Sequence, residues 1–149
     1  MSTQVLAIRP AEEKGAAAGE APDRSHAARW GGHAELFDAG YVPTPTSFLK
    51  NYSRMGTASL TTAEAMFVLQ LMVHKWDRKA PFPSYATIAK RMGISAAYAR
   101  RLARNLEIKG LLRRAVRVGT TNRFDLGPLF EKLAQIVQVN SRKEEAAVA

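Results

Sequence analysis

The chain has 149 residues, which suits one folded domain with tails, and 46% of them are hydrophobic, which is enough for a modest core. The chain contains no cysteine, which excludes disulfide scaffolds, thiolate metal sites and cysteine nucleophiles. The net charge of +9 favours a polyanionic partner. Every apolar stretch is far shorter than the length of about 20 residues that a helix needs to cross a bilayer.

Composition predicts disordered tails at both ends of the chain. Residues 1–33 are rich in Ala, Gly, Glu and Pro, and their charges cancel, so they cannot bury enough apolar surface to offset the entropy of ordering. Residues 139–149 form a second, shorter tail by the same argument. We therefore expect one folded domain over residues 34–138.

The first part of this domain carries two predicted helices. Prolines at alternate positions keep residues 40–45 extended, and Thr46 or Ser47 can then cap a short helix that continues through Met55. Thr61 and Glu64 have the spacing of a capping box, which opens a second helix of about 16 residues. One apolar stripe with helical spacing predicts its buried side: Ala65, Val68, Leu69, Met72, Val73 and Trp76.

The next segment predicts two helices joined by a tight turn. Ser84 can cap a helix that ends near Met92, Gly93 can take a positive φ, and Ser95 can cap a helix over 96–109. Small and apolar residues occur where two crossing helices must pack closely: Ile88, Ala89, Met92, Ile94, Ala99, Leu102, Ala103 and Leu106.

The opposite face of helix 96–109 is basic. It carries Ala97, Arg101 and Arg104, with Tyr98, Arg100 and Asn105 on its flanks. From Arg78 to Arg123 the chain has twelve basic residues and one acidic residue, Glu107. Arginines can pair with guanine edges or with phosphates, and small residues let a helix enter a major groove, so this face suits DNA.

A predicted β-hairpin follows this helix. In residues 111–126, LLRRAVRVGTTNRFDL, apolar residues alternate imperfectly with arginines on either side of a turn at 119–122. Such a hairpin is a wing whose basic residues contact the DNA backbone or enter the adjacent minor groove. The sequence therefore predicts a mainly α fold with a small β-hairpin, a winged helix-turn-helix.

Two stretches carry a resemblance to a known family. FPSYATIAKRMGISAAYARRLARNLEIKGLLRR resembles the winged helix-turn-helix domains of bacterial regulators and of the N-termini of phage and plasmid replication proteins. TNRFDLGPLFEKL resembles the wing exit and following helix of the replication proteins, and the resemblance covers residues 40–133. It implies that residues 95–104 are the recognition helix and residues 116–123 the wing. Ala96 and Ala97 depart from the polar residues usual there, which limits hydrogen bonding to bases at these two positions.

We expect the chain to bind double-stranded DNA sequence-specifically, with helix 96–109 in the major groove and wing 111–126 on the backbone or minor groove. The hypotheses for its role are a transcriptional regulator, an origin-binding replication or partition protein of a mobile element, and a protein-interaction module on a winged-helix scaffold. The predicted DNA-binding residues are Ser84, Lys90, Ser95, Ala96, Ala97, Tyr98, Arg100, Arg101, Arg104, Asn105, Arg113, Arg114, Arg117, Thr120, Thr121, Asn122 and Arg123.

Several other functions are not expected. The three histidines lack metal-ligand spacing, no phosphate-binding loop occurs, and we predict no metal, cofactor, small-molecule ligand or enzymatic activity. The N-terminus lacks an export signal, which predicts a cytoplasmic, nucleoid-associated protein. An apolar stripe predicts a last helix over 128–138, with two open interpretations: packing on the domain's own core, or a homodimer seam.

Overall fold

A computed structural model of the protein describes residues 26–74, 83–119 and 121–148. The chain divides into two compact units after Val42. In the smaller unit, the described part contains α1 (His26–Arg29) and α2 (Ala34–Asp38), and the rings of Trp30, Phe37 and Tyr41 cluster with centroids 5.5 to 6.3 Å apart. Residues 26–33 of the predicted tail thus include a helical turn, while residues 1–25 lie outside the described residues.

The larger unit begins at Pro43 rather than at the predicted residue 34. Its elements in chain order are α3 (Thr46–Asn51), a 3-10 helix (Gly56–Ala58), α4 (Thr62–Met72), α5 (Tyr85–Met92), α6 (Ala96–Ile108), β1 (Arg113–Ala115), β2 (Arg123–Asp125) and α7 (Gly127–Val148). This is a mainly helical fold with one small hairpin, and the predicted fold class is confirmed.

The core of the larger unit lies among α4, α5 and α6, which pack against one another, while α3 packs against α7. Phe67 of α4 and Phe124 of β2 are both fully buried and meet edge to face, with ring centroids 6.2 Å apart. The predicted inner face of α6 is confirmed, since all four of its residues are buried: Ala99, Leu102, Ala103 and Leu106. Burial of this stripe turns the arginines of α6 outward.

Local capping explains the helix-turn-helix. Ser84 accepts a hydrogen bond from the Thr87 amide at the start of α5, and Ser95 accepts one from the Tyr98 amide at the start of α6. Between the helices Gly93 has φ of +66°, a left-handed conformation that glycine adopts without steric cost. The predicted caps and turn are confirmed, so the relative placement of α5 and α6 follows from short-range chemistry.

The wing, residues 111–126, contains the two predicted strands. They pair antiparallel with Arg114 opposite Phe124. Phe124 is buried and points to the core, whereas the flanking Arg123 is exposed. Near the tip Val116 and Val118 are exposed, because the strands end before them and leave their side chains without a packing surface.

Two predicted helix ends in the first part of the domain are wrong. Helix α3 has Pro45 at its cap position, so the predicted cap by Thr46 or Ser47 is also wrong. The helix ends at Asn51 rather than Met55, and Met55 lies buried in the loop beyond it. Helix α4 is capped by Thr61 and Glu64 as predicted but has 11 residues, because the His74 amide bonds to the Leu71 carbonyl and tightens the last turn. Trp76 of the predicted stripe lies outside the described residues.

The last helix is longer than predicted. Helix α7 runs to Val148, past residue 138, because the following residues include Arg, Lys, Glu and Ala, which favour helix, and no Gly or Pro that would end it. Leu129 and Leu133 are buried, which confirms core packing for the start of this helix, whereas Val137 and Val139 are exposed.

Candidate nucleic-acid interface

The exposed side of α6 is the most basic surface of the helix-turn-helix. Ala97, Arg100, Arg101 and Arg104 are all exposed, and we call this set the recognition face. Together with Ser95 and Tyr98 they line an open depression over the first turns of α6. The structure therefore brings together the central residues of the predicted interface, with small side chains at the N-terminal end and arginines beyond them.

Two arginines of the recognition face lie over tyrosine rings. The Arg101 guanidinium carbon is 4.7 Å from the centroid of the Tyr98 ring, and that of Arg100 is 5.6 Å from the centroid of the Tyr85 ring. Both distances are within the range of a cation–π contact. Arg104 has no ring or carboxylate partner among the described residues, so the three arginines of this face are held differently.

Tyr85 connects α5, α6 and the wing. Its ring meets Phe124 edge to face, with centroids 5.6 Å apart, and lies beneath Arg100. Its hydroxyl accepts a 2.9 Å hydrogen bond from Arg114, whose Nε lies 3.1 Å from a Glu107 carboxylate oxygen. This hydrogen bond to the Tyr85 hydroxyl is the main reason that the pKa of Arg114 lies above its ordinary value, and Glu107 adds to the effect.

Arg114 thus differs from the other predicted DNA-binding arginines. Its side chain is partly buried and its charge is used within the protein, between α5, α6 and β1. Sequence alternation could not separate it from Arg113, whose side chain is 69% exposed and lies 3.6 Å from Asp125. Arg114 therefore supports the interface through its contacts with Tyr85 and Glu107.

Two further cations near the helix-turn-helix contact other side chains of the protein. Lys109 Nζ lies 2.6 Å from the buried Glu64 carboxylate and also donates to the Ser59 carbonyl. Burial alone would raise the pKa of Glu64, but the hydrogen bonds from Lys109 and Thr61 outweigh it and leave the pKa lowered. Arg91 contacts His74, whose pKa is lowered by burial and then by that guanidinium.

The remaining predicted contacts surround the recognition face. Pro83, Ser84, Tyr85, Ala86 and Arg100 line a second depression that reaches the wing at Thr121 and Asn122. Ser95 and Ala96 lie at the start of α6, and Asn105 is half-buried on its flank. Lys90 on α5 and Arg123 on β2 are exposed and contact no carboxylate in the described chain, whereas Arg117 near the wing tip is half-buried. Thr120 lies outside the described residues.

Acidic residues are scarce between residues 83 and 126. Between residues 83 and 126 the chain has ten basic residues and two acidic ones, Glu107 and Asp125. Glu107 pairs with Arg114, and Asp125 accepts a 2.8 Å hydrogen bond from the Gly127 amide at the start of α7. Asp125 also lies 3.6 Å from Arg113, so each of the two acids is beside an arginine and the ten cations leave this surface strongly basic.

The described part of the chain contains neither a metal-binding cluster nor a membrane-spanning helix. Within residues 26–74, 83–119 and 121–148, no three His, Asp or Glu side chains group so that they could hold a metal ion. Over the same residues, no helix combines the length and apolar character needed to cross a membrane.

The helix-turn-helix, the hairpin and the basic recognition face define a winged-helix domain. The chain belongs to the DnaD N-terminal domain family, whose model matches residues 44–145, a replication-related group with a winged-helix-like fold. The match agrees with the resemblance to replication proteins rather than to bacterial regulators, and its start agrees with the compact unit that begins at Pro43. No curated protein matches the chain.

Proposed function

We propose that the protein is a double-stranded DNA-binding protein that acts in DNA replication and catalyses no reaction itself. The observation that carries this proposal is the recognition face, where three exposed arginines lie beside a small N-terminal turn on a helix whose opposite side is buried. A polyanion approaching this face meets a large excess of positive charge, because the two acidic residues of the sequence between positions 83 and 126 each lie beside an arginine.

The mechanism follows from the placement of these charges. The N-terminal half of α6 enters the major groove, and its arginines replace counterions condensed on the phosphates, which makes binding strongly dependent on salt. The wing lies on the sugar-phosphate backbone or in the neighbouring minor groove. Its contacts are Arg113, Arg117, Thr120, Thr121, Asn122 and Arg123, and Ser84 and Lys90 extend the backbone contacts to α5.

The family match supports a replication role and does not bear on transcription. We propose that the protein binds repeated sites at a replication origin, and regulation of transcription stays an untested hypothesis. Chromatin immunoprecipitation, mapped on the replicon that carries the gene for this protein, separates the two roles. A cluster of repeated sites at the origin supports replication, whereas a single palindrome at a promoter would overturn it.

DNA binding is tested with matched charge variants. We would measure fluorescence anisotropy of labelled duplexes between about 50 and 200 mM salt for the wild type, for Arg101→Gln with Arg104→Gln, and for Arg142→Gln with Lys143→Gln. Both double variants remove two positive charges, but the second pair lies on the exposed end of α7. We expect the α6 variant to lose most of the affinity and to flatten the salt slope by about one unit for each lost phosphate contact.

Two results would contradict this function. Equal weakening by both double variants would mean that total charge, not the recognition face, attracts DNA. A wild type that binds no duplex even at low salt would favour the protein-interaction module instead. Self-association through residues 128–138 is one of the two interpretations that the sequence left open. It is measured separately by sedimentation with Val137→Glu, because Val137 is exposed while Leu129 and Leu133 are buried in the core.

A further inference from the structure

Arg101 is held over the N-terminal turn of α6. Side chains on a helix point back toward its N-terminus, and the Arg101 guanidinium accordingly lies 4.7 Å from the centroid of Tyr98, one turn earlier. The Tyr98 amide is itself bonded to the Ser95 hydroxyl that caps the helix. The contact with the tyrosine ring therefore favours one placement of the Arg101 guanidinium before any ligand arrives.

The space beside this guanidinium is open. Ala97 lies one turn before Arg101 on the same face, is exposed, and has only a methyl side chain. Together with Ser95 and Tyr98 these residues line the depression over the first turns of the helix. A base edge in the major groove can thus approach the guanidinium without a collision at this end of α6.

Arg104 provides a contrast within the same face. It is exposed like Arg101, but among the described residues it has neither an aromatic nor a carboxylate partner. It also lies one turn further from the N-terminus, where a recognition helix commonly moves away from the bases. An arginine without such a partner suits a phosphate, which accepts many approach directions.

We infer that Arg101 selects a guanine in the major groove and that Tyr98 is its positioning residue. An arginine pairs with guanine through two parallel hydrogen bonds to O6 and N7, which requires the planar fork to be held in one orientation. The contact with Tyr98 favours such a placement in advance. This inference rests on the proposed DNA binding and adds to it a specific base and the residue that selects it.

The test is selection from a random duplex library at about 150 mM salt, followed by affinity measurements on the selected site and on the site with each base replaced. The variants are Arg101→Lys and its control Arg104→Lys, which keep the charge but remove the fork. Tyr98→Ala removes the ring, and Tyr98→Phe restores it. Circular dichroism of each variant establishes that α6 has formed.

We expect the wild type to select a site with one guanine per bound protomer whose replacement weakens binding by about 5- to 150-fold. Arg101→Lys abolishes the preference at that position alone, and Arg104→Lys leaves it intact and changes binding to all sites little, because a lysine still neutralises a phosphate. Tyr98→Ala reduces the preference for that guanine without weakening binding to the other sites, which a merely structural role of the tyrosine would not produce, and Tyr98→Phe restores the preference.

The failures of the two proposals are distinguishable. Salt-dependent binding without base preference, or a preference that survives Arg101→Lys, would overturn the inference and leave DNA binding standing. Equal loss of preference in Arg101→Lys and Arg104→Lys would overturn it as well. Failure of the wild type to bind any duplex would overturn the proposed function itself.

Discussion

Arg114 Nη1 donates a 2.9 Å hydrogen bond to the Tyr85 hydroxyl, so the first strand of the wing is tied to the start of α5. The same tyrosine ring lies beneath Arg100 on α6. The orientation of the wing and one arginine of the recognition face therefore depend on a single aromatic side chain, and the interface is prearranged by contacts that do not themselves face DNA.

Tyr85→Phe removes this hydrogen bond and keeps the ring. Because the bond joins a charged donor to a partly buried hydroxyl, we expect a loss of about 1 kcal/mol in the free energy of unfolding and faster amide exchange in the wing. Urea denaturation and hydrogen exchange measure both effects. Tyr98→Phe is the control, because the Tyr98 hydroxyl has no partner among the described residues; equal losses in the two variants would contradict the assigned role.

Lys109→Met is expected to lower the free energy of unfolding more than Tyr85→Phe does. It leaves the Glu64 carboxylate buried, with its exposed fraction at 1%, and without its cation. Removing one partner of a buried pair costs about 3 kcal/mol or more. Urea denaturation of Lys109→Met beside Lys132→Met, which removes a lysine of α7 that has no ion pair among the described residues, measures this cost, and similar stabilities of the two would refute it.

The same carboxylate predicts a pH dependence of stability. The pKa of Glu64 is lowered in the folded protein from an ordinary value of 4.5, so its contribution is complete above that value and is lost as the pH falls through the lower folded pKa. We expect the free energy of unfolding to decline in this acidic window, and to decline less in Glu64→Gln. Identical pH profiles for the two proteins would show that Glu64 is not the titrating group.

Gly93→Ala tests the turn of the helix-turn-helix. A Cβ at this position would meet no atom within 4 Å, so the cost comes only from the backbone, whose φ is +66°. We expect a loss of about 1 kcal/mol, with a smaller loss for Gly93→Asn, since asparagine tolerates left-handed geometry better. Thermal unfolding provides the comparison, and an alanine variant as stable as the wild type would mean that the turn relaxes.

Much of the fold could be predicted because its determinants are local. Ser84 and Ser95 accept hydrogen bonds from amides three residues later, and the Gly93 amide donates to carbonyls of the preceding turn. Their spacing in the sequence is therefore enough to place α5, the turn and α6. The buried stripe of α6 is likewise a matter of helical periodicity. The exposed arginines of the recognition face then follow by exclusion from the core.

What could not be predicted depends on contacts between distant residues. Lys109 and Glu64 are 45 positions apart, and only the packing of α4 against α6 brings them together. Adjacent arginines in a strand point to opposite sides, but the sequence does not say which side is inward, so Arg113 and Arg114 were not distinguished. The position of Tyr85 beneath Arg100 likewise requires the folded structure.

Amide chemical-shift mapping by NMR with a short duplex is the most direct test of the account, because it locates the interface without altering the protein. We predict that the largest shifts occur at residues 95–104 and in the wing, with little change along the exposed end of α7. Shifts confined to α7, or none on addition of DNA at low salt, would contradict the central claim that the recognition face binds DNA.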